Sequence, residues 1–149
     1  MKSLLILLFS GMLCLFAYQE GDQLPENITQ TLGISPNKIY VVDFFASWCH
    51  SCKKELPQLS KITSALNADH VKIIGVDVDE NTDEGKKFQE ELQLTFHTIN
   101  DPSNAIIKAF EPVGMPAIYI IKNNKVHRVL FGAMNHIDTI ILNELKALQ

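Results

Sequence analysis

The sequence predicts an α/β domain built on a mixed central sheet flanked by helices, and three observations carry that prediction. Two apolar runs, Ile39 to Phe45 (IYVVDFF) and Val71 to Val78 (VKIIGVDV), are nearly continuous and rich in β-branched residues. Such runs read as strands buried on both faces. Segments of helical period alternate with them, which is the pattern of strands joined by helical crossovers. Near the C-terminus two further strand-like runs meet at Asn123-Asn124, a pair suited to a tight hairpin. The resulting order is β-α-β-α-β-α-β-β-α, parallel at the crossovers and antiparallel at the last hairpin.

Taken in order, the chain begins with Lys2, an apolar run from Leu4 to Phe16, Ala17, and the polar stretch Tyr18 to Gln23. A basic start, a short apolar run and a small residue fit a secretory signal peptide over residues 1–17. The run is shorter than the ~20 residues that span a bilayer, and an uncleaved anchor is the alternative. Cys14 lies inside it, with Gly11 and Leu13 where a lipoprotein signal would place a leucine and a small residue. The folded domain is expected over residues 24–149. Cleavage after Ala17 would leave only Cys49 and Cys52, which in an exported domain can pair with each other or with a partner's cysteine.

Residues 22–37 form a polar lead-in that can supply a short helix or an edge strand. After the first buried strand, Leu56, Leu59, Ile62 and Leu66 make one apolar stripe on a helix from about Cys49 to Leu66, with Pro57 inside it. Asn81 or Thr82 can cap a second helix running to Leu92. Thr95 to Ile99 is a short strand. Asp101-Pro102 reads as an N-cap with proline at the first helical position, opening a helix to Phe110. Ala117 to Ile121 and Val126 to Phe131 flank the hairpin, and Asn135 is the expected cap of the last helix. The length of 149 residues suits one domain. A net charge of −4 without a basic tract gives no sign of nucleic-acid binding.

The chemistry centres on Cys49 and Cys52, two residues apart at a strand-to-helix junction. Unpaired N–H groups and partial positive charge at a helix start favour thiolate over thiol. His50 beside the pair is either an electrostatic tuner of Cys49, as a side chain able to carry positive charge, or an exposed spacer. Cys49 is then the expected exposed nucleophile and Cys52, one turn in, the resolving thiol. A structural zinc site needs four ligands, and His70, His97, His127 and His136 lack ligand spacing; no metal is expected. A static staple closing so short a loop removes little unfolded-state entropy.

The segment VVDFFASWCHSCKKELPQL resembles the active-site segment of the thioredoxin superfamily, and Val113-Gly114-Met115-Pro116 resembles its cis-proline loop. The interval from Asp79 to Pro116 is about twice that of thioredoxin itself. Together with Glu55 in a WCxxCxxE pattern, it resembles the TlpA/DsbE/ResA-like envelope proteins. The resemblance implies a thioredoxin-like fold with an inserted βα unit before the cis-proline loop. It also implies that Asp43 accepts the proton of Cys52, the bland reading being an Asp at a water-lined edge. Glu55 either tunes the cysteines or meets a partner, or is a solvated acid in the first helical turn. Met115 and Pro116, with Trp48 at the rim, would bind a substrate strand. Thioredoxins carry a lysine near this Asp; Gly75 lines up with it here. Ala117 stands where cytochrome-maturation proteins often have Glu and ResA-like ones Thr.

The implied activity is thiol:disulfide oxidoreduction without a cofactor beyond the Cys49–Cys52 pair. It would most simply reduce protein disulfides in the periplasm or cell envelope, cytochrome c maturation being one setting. No dinucleotide-binding glycine pattern is present, so electrons are expected from a membrane thiol reductant. The chain is expected to act as a monomer, touching the membrane only through an uncleaved N-terminal segment. A DsbA-type oxidase is the rival that His50 favours, and a metal-binding or redox-sensing module is the other.

Overall fold

The structure, a computed structural model, describes residues 17–149. The predicted signal segment up to Phe16, with Cys14, lies outside the described residues. Along the chain run α1 (Glu26–Leu32), β1 (Ile39–Phe45), α2 (His50–Thr63), β2 (Val71–Asp77) and α3 (Thr82–Glu91). There follow β3 (His97–Asn100), α4 (Ala105–Phe110), β4 (Ala117–Lys122), β5 (Lys125–Phe131) and α5 (Ile137–Leu148). The five strands form one sheet in the order β3-β2-β1-β4-β5. β1 pairs parallel with β2 and antiparallel with β4, while β2–β3 is parallel and β4–β5 antiparallel. The mixed sheet is therefore the predicted one, and α3 with β3 forms the inserted unit.

β1 is central, and all seven of its residues are buried, because helices cover both faces. Its alternation assigns the faces. Phe44 packs on Phe110 of α4 at 5.0 Å and on Tyr119 of β4 at 5.8 Å. Phe45, on the opposite face, meets Phe88 of α3 at 6.2 Å. Asp43 shares that second face with Phe45, on the side covered by α2 and α3. α2 also packs against α5, and α1 packs against α4.

Some expected boundaries shift for identifiable reasons. The lead-in supplies both expected features: α1, and an edge segment in which Gln23 bridges Lys125. Gly21 N–H and Leu24 N–H donate to the carbonyls of Val126 and Asn124 at 2.8 Å each, covering part of the β5 edge. α4 starts at Ala105 rather than Pro102. Asp101 still caps it, but from a distance: its carboxylate accepts the N–H groups of Ala105, Ile106 and Ile107 at 2.9–3.0 Å. α5 is preceded by His136 at φ 59° with no side-chain cap, so the expected Asn135 cap is not made. α2 ends at Thr63, three residues short of Leu66, and runs through Pro57. The hairpin is as expected, with Asn123 and Asn124 both left-handed at φ 54° and 58°.

Candidate active site

β1 delivers the chain into a turn closed by the Cys49 N–H donating to the Ala46 carbonyl at 3.1 Å. Cys49 then serves as the N-cap of α2. Its backbone is extended, and its Sγ accepts the N–H of Cys52 at 3.3 Å. A sulfur in that position sits on one of the orphan donors of the helix start, where negative charge is favoured. Cys49 and Cys52 are joined as a disulfide, with S–S 2.02 Å and Cα–Cα 5.3 Å.

Cys52 has no exposure and Cys49 is 7 % exposed. The nucleophile expected to be exposed is thus a nearly buried residue with a narrow opening. That opening faces a groove of about 620 Å³. Trp48 and His50 line one side of it, and Ile107, Pro112 and Met115 line the other. Trp48, 68 % exposed, stands at its edge, and Lys108 and Glu111 also line it. His50 is exposed at the first residue of α2, as are Lys53 and Lys54. The Met115–Pro116 bond is cis, and Pro116 is buried with its carbonyl accepting the Gly132 N–H at 2.9 Å. The structure brings Cys49, Trp48, His50 and Met115 around one groove, with Cys52 buried behind Cys49.

Asp43 and Glu55 lie beneath the surface. Asp43 is fully buried and Glu55 is 3 % exposed, which removes the solvated reading of Glu55. Neither oxygen of Asp43, nor Oε1 of Glu55, has a hydrogen-bond partner. A buried carboxylate without donors resists ionisation. Burial first, and then the charge of Glu55, push the Asp43 carboxyl well above the usual carboxylate range. Burial pushes Glu55 to about 7. The Gly75 position that lines up with a thioredoxin lysine is Asp43's register partner on β2. A Cβ there would stand 2.7 Å from Phe45 Cε1 and 3.0 Å from Phe96 Cε2, so aromatic rings fill the space a side chain would need.

Sequence reasoning missed a polar chain behind the Ala46–Cys49 turn. Asp79, 4 % exposed, accepts the Ser47 N–H at 2.7 Å and the Ser47 hydroxyl at 2.8 Å. Its own N–H donates to Asp77 Oδ1 at 2.9 Å. Asp77 also accepts from Gln89 of α3, which in turn donates to Asn100 and accepts from Thr98. Burial, above all, raises the Asp77 carboxyl to about 6. The available signal was two acids, Asp77 and Asp79, at the end of a buried strand, where unpaired carboxylates are costly. Among the described residues no group of three or more His, Cys, Asp or Glu is arranged to hold a metal ion. No helix among them is long and apolar enough to cross a membrane.

A five-stranded mixed sheet with a CxxC disulfide at a helix start, facing a cis proline, defines a thioredoxin-like protein. Residues 18–129 match the AhpC/TSA family, and the chain belongs to that family. Thiol-disulfide oxidoreductase ResA of Geobacillus thermodenitrificans is 29% identical over 98 residues, covering 65% of this chain and 56% of that protein. Sporulation thiol-disulfide oxidoreductase A of Bacillus subtilis is 26% identical over 98 residues, covering 63% of this chain and 59% of its own length. The chain thus spans little more than half the length of these relatives. The crystal structure of a candidate thiol:disulfide interchange protein DsbE from Chlorobium tepidum shares the fold, with TM-score 0.76 and 20% identity. It aligns over 88% of this chain and 98% of its own.

Proposed function

We propose that the protein is an exported thiol:disulfide oxidoreductase that reduces protein disulfides in the bacterial cell envelope. The observation that carries this reading is the Cys49–Cys52 disulfide at the start of α2, opening through Cys49 onto an apolar groove beside cis Met115–Pro116. Two relatives named as thiol-disulfide oxidoreductases support it.

In the reduced protein the Cys49 thiolate attacks one sulfur of a substrate disulfide. A mixed disulfide forms and the first substrate thiolate leaves. Cys52 then loses its proton and attacks Cys49 Sγ. This step forms the Cys49–Cys52 disulfide and releases the second substrate thiolate. The substrate gains two electrons and the protein loses two. Asp43 takes the Cys52 proton, and burial first, then the charge of Glu55 beside it, raise the affinity of that carboxyl for the proton it receives. Trp48 and Met115 hold the substrate strand against Cys49, and Pro116 presents no N–H there. A membrane thiol reductant returns the two electrons, and no cofactor beyond the disulfide takes part. An N-terminal signal or anchor over residues 1–17 would deliver the domain over residues 24–149 to the periplasm, where it would act as a monomer.

One observation favours the reverse direction. His50 is exposed at the first residue of α2, where a cation stabilises the Cys49 thiolate and makes the disulfide more oxidising. The deciding experiment equilibrates the Cys49–Cys52 pair against dithiothreitol or glutathione and assays insulin reduction beside oxidative refolding. A potential below about −200 mV with insulin reduction is the expected result. A potential near about −120 mV with refolding activity would make the protein an oxidase, and zinc retained by the reduced protein would favour a metal-binding module.

A further inference from the structure

The turn that presents Trp48 and Cys49 is held from outside by one side chain. Ser47 is the second residue of that turn, between Ala46, whose carbonyl closes it, and Trp48. Both Ser47 donors go to the same carboxylate, Asp79, across 32 positions of sequence. The N–H bond, at 2.7 Å, is in the short range of charge-assisted contacts. Asp79 is itself fixed. Its N–H is held by Asp77, and the next backbone link, Val78 N–H to Phe45 carbonyl at 2.9 Å, ties this stretch to the end of β1.

Asp77 is clamped in its turn. Its backbone carbonyl accepts the Asp101 N–H at 2.7 Å, and its carboxylate accepts from Gln89. α3 approaches so closely that a Cβ on Gly85 would lie 2.3 Å from Asp77 Oδ2. A chain of hydrogen bonds thus runs from β3 through Gln89, Asp77 and Asp79 to the residue two before Cys49. The inserted α3–β3 unit supplies the far end of that chain.

We propose that Asp79, acting through Ser47, is a positioning residue of the disulfide centre: it fixes the turn and thereby the placement of Trp48 and Cys49 against the cis-proline loop. The consequence for exchange rests on the oxidoreductase reading above; the consequence for Cys49 itself does not. Thiol–disulfide exchange needs an attacking sulfur aligned with the disulfide it attacks, so a loosened turn slows the reaction without touching either cysteine.

The test uses the full chain with Asp79→Ala, Asp79→Asn, Ser47→Ala and Ser47→Thr. Asparagine can accept the Ser47 N–H and donate to the Ser47 hydroxyl, so it preserves both contacts without the charge. Threonine preserves both donors. Three quantities are read: kcat and KM for insulin disulfide reduction, the pH profile of Cys49 alkylation by iodoacetamide followed on the Cys49 peptide, and folding by circular dichroism. Asp79→Ala is expected to lower kcat/KM about 10- to 100-fold, in line with an active-site group displaced by an ångström. Ser47→Ala should lower it less, and Asp79→Asn and Ser47→Thr should restore most of it. The alkylation profile of Asp79→Ala and Ser47→Ala should shift, while both rescuing variants follow the parent.

Wild-type exchange and an unshifted Cys49 profile in folded Ser47→Ala and Asp79→Ala would overturn the proposal. So would failure of both rescuing variants while they remain folded. If Asp79→Ala does not fold, Ser47→Ala and its threonine counterpart decide alone. If the unsubstituted protein neither reduces insulin nor oxidises a reduced substrate, the functional reading fails, and the alkylation profiles still decide the positioning role.

Discussion

Asp43 and Glu55 are two carboxyl groups in a space without donors for three of their oxygens. Their raised pKa values have a stability consequence with a definite sign. A carboxyl whose folded pKa lies above its unfolded value binds more protons in the folded state, so stability is full at low pH and falls as pH rises. Glu55, moving from 4.5 to about 7, contributes over that window. Asp77, raised to about 6, contributes over a lower one, and Asp43, shifted in the same direction by burial, contributes with the same sign. Each such group costs up to about 1.4 kcal/mol per pH unit within its window. The oxidised protein should therefore lose stability from about pH 4 to pH 7. Glu55→Gln should flatten the upper part of that loss and raise the thermal midpoint at pH 8. Urea titrations at several pH values check this, and a steeper loss in Glu55→Gln would contradict it. At Cys49 the helix start makes a separate prediction. In the reduced protein Cys49 should alkylate well below pH 8 while Cys52, which is fully buried, stays protected. An apparent Cys49 pKa at or above ~8.5, or equal rates for the two thiols, would remove the nucleophile assignment.

At the scale of elements, the inserted α3–β3 unit stands behind the active site through close packing as well as polar contacts. Gly75 on β2 is closed in by Phe45, Phe96 and Thr98, with a hypothetical Cβ at 2.7, 3.0 and 3.3 Å from them. The Phe45 and Phe96 rings are buried and cannot swing away cheaply, so Gly75→Ala should destabilise by about 1–3 kcal/mol through overpacking. Chemical denaturation reads this directly, and an unchanged midpoint would mean that the rings yield. The elements also show what the sequence made legible. β1 was readable to its ends because burial on both faces imposes a continuous apolar run, and the hairpin because two asparagines tolerate positive φ. The starts of α4 and α5 were not, since Asn104 and His136 precede them at φ 58° and 59°, where the usual N-cap is extended. The cysteine pair announced itself by spacing. The Asp79–Ser47 contact did not, because a bond across 32 positions is created only when β2 docks beside β1.

Taken as a whole, the molecule makes its redox direction a property of folding. Oxidation state and folding form a closed cycle. Any difference between the potential of the Cys49–Cys52 pair in the folded chain and in the unfolded chain equals the difference in stability between the oxidised and reduced proteins. For this two-electron couple 30 mV corresponds to about 1.4 kcal/mol. A reducing couple means that the fold favours the disulfide, so the oxidised protein must be the more stable form. An oxidising couple of the DsbA kind means that the reduced form is the stabilised one. Opposing features meet at this centre. The helix start favours the Cys49 thiolate and hence the reduced form, and the proposed tuning by the exposed His50 would act in the same direction. The buried carboxyls of Asp43 and Glu55, when ionised, oppose the negative charge of the Cys49 thiolate, and so favour the disulfide. Because Asp43 and Glu55 are buried while His50 is exposed and screened by solvent, the interior effect should prevail. Paired urea titrations at pH 7, one on the oxidised chain and one with dithiothreitol present, should give the higher midpoint for the oxidised chain. Glu55→Gln together with Asp43→Asn should narrow the gap, and His50→Ala should widen it. A higher midpoint for the reduced chain would reverse the proposed direction of electron flow while leaving the fold and the cysteine roles in place.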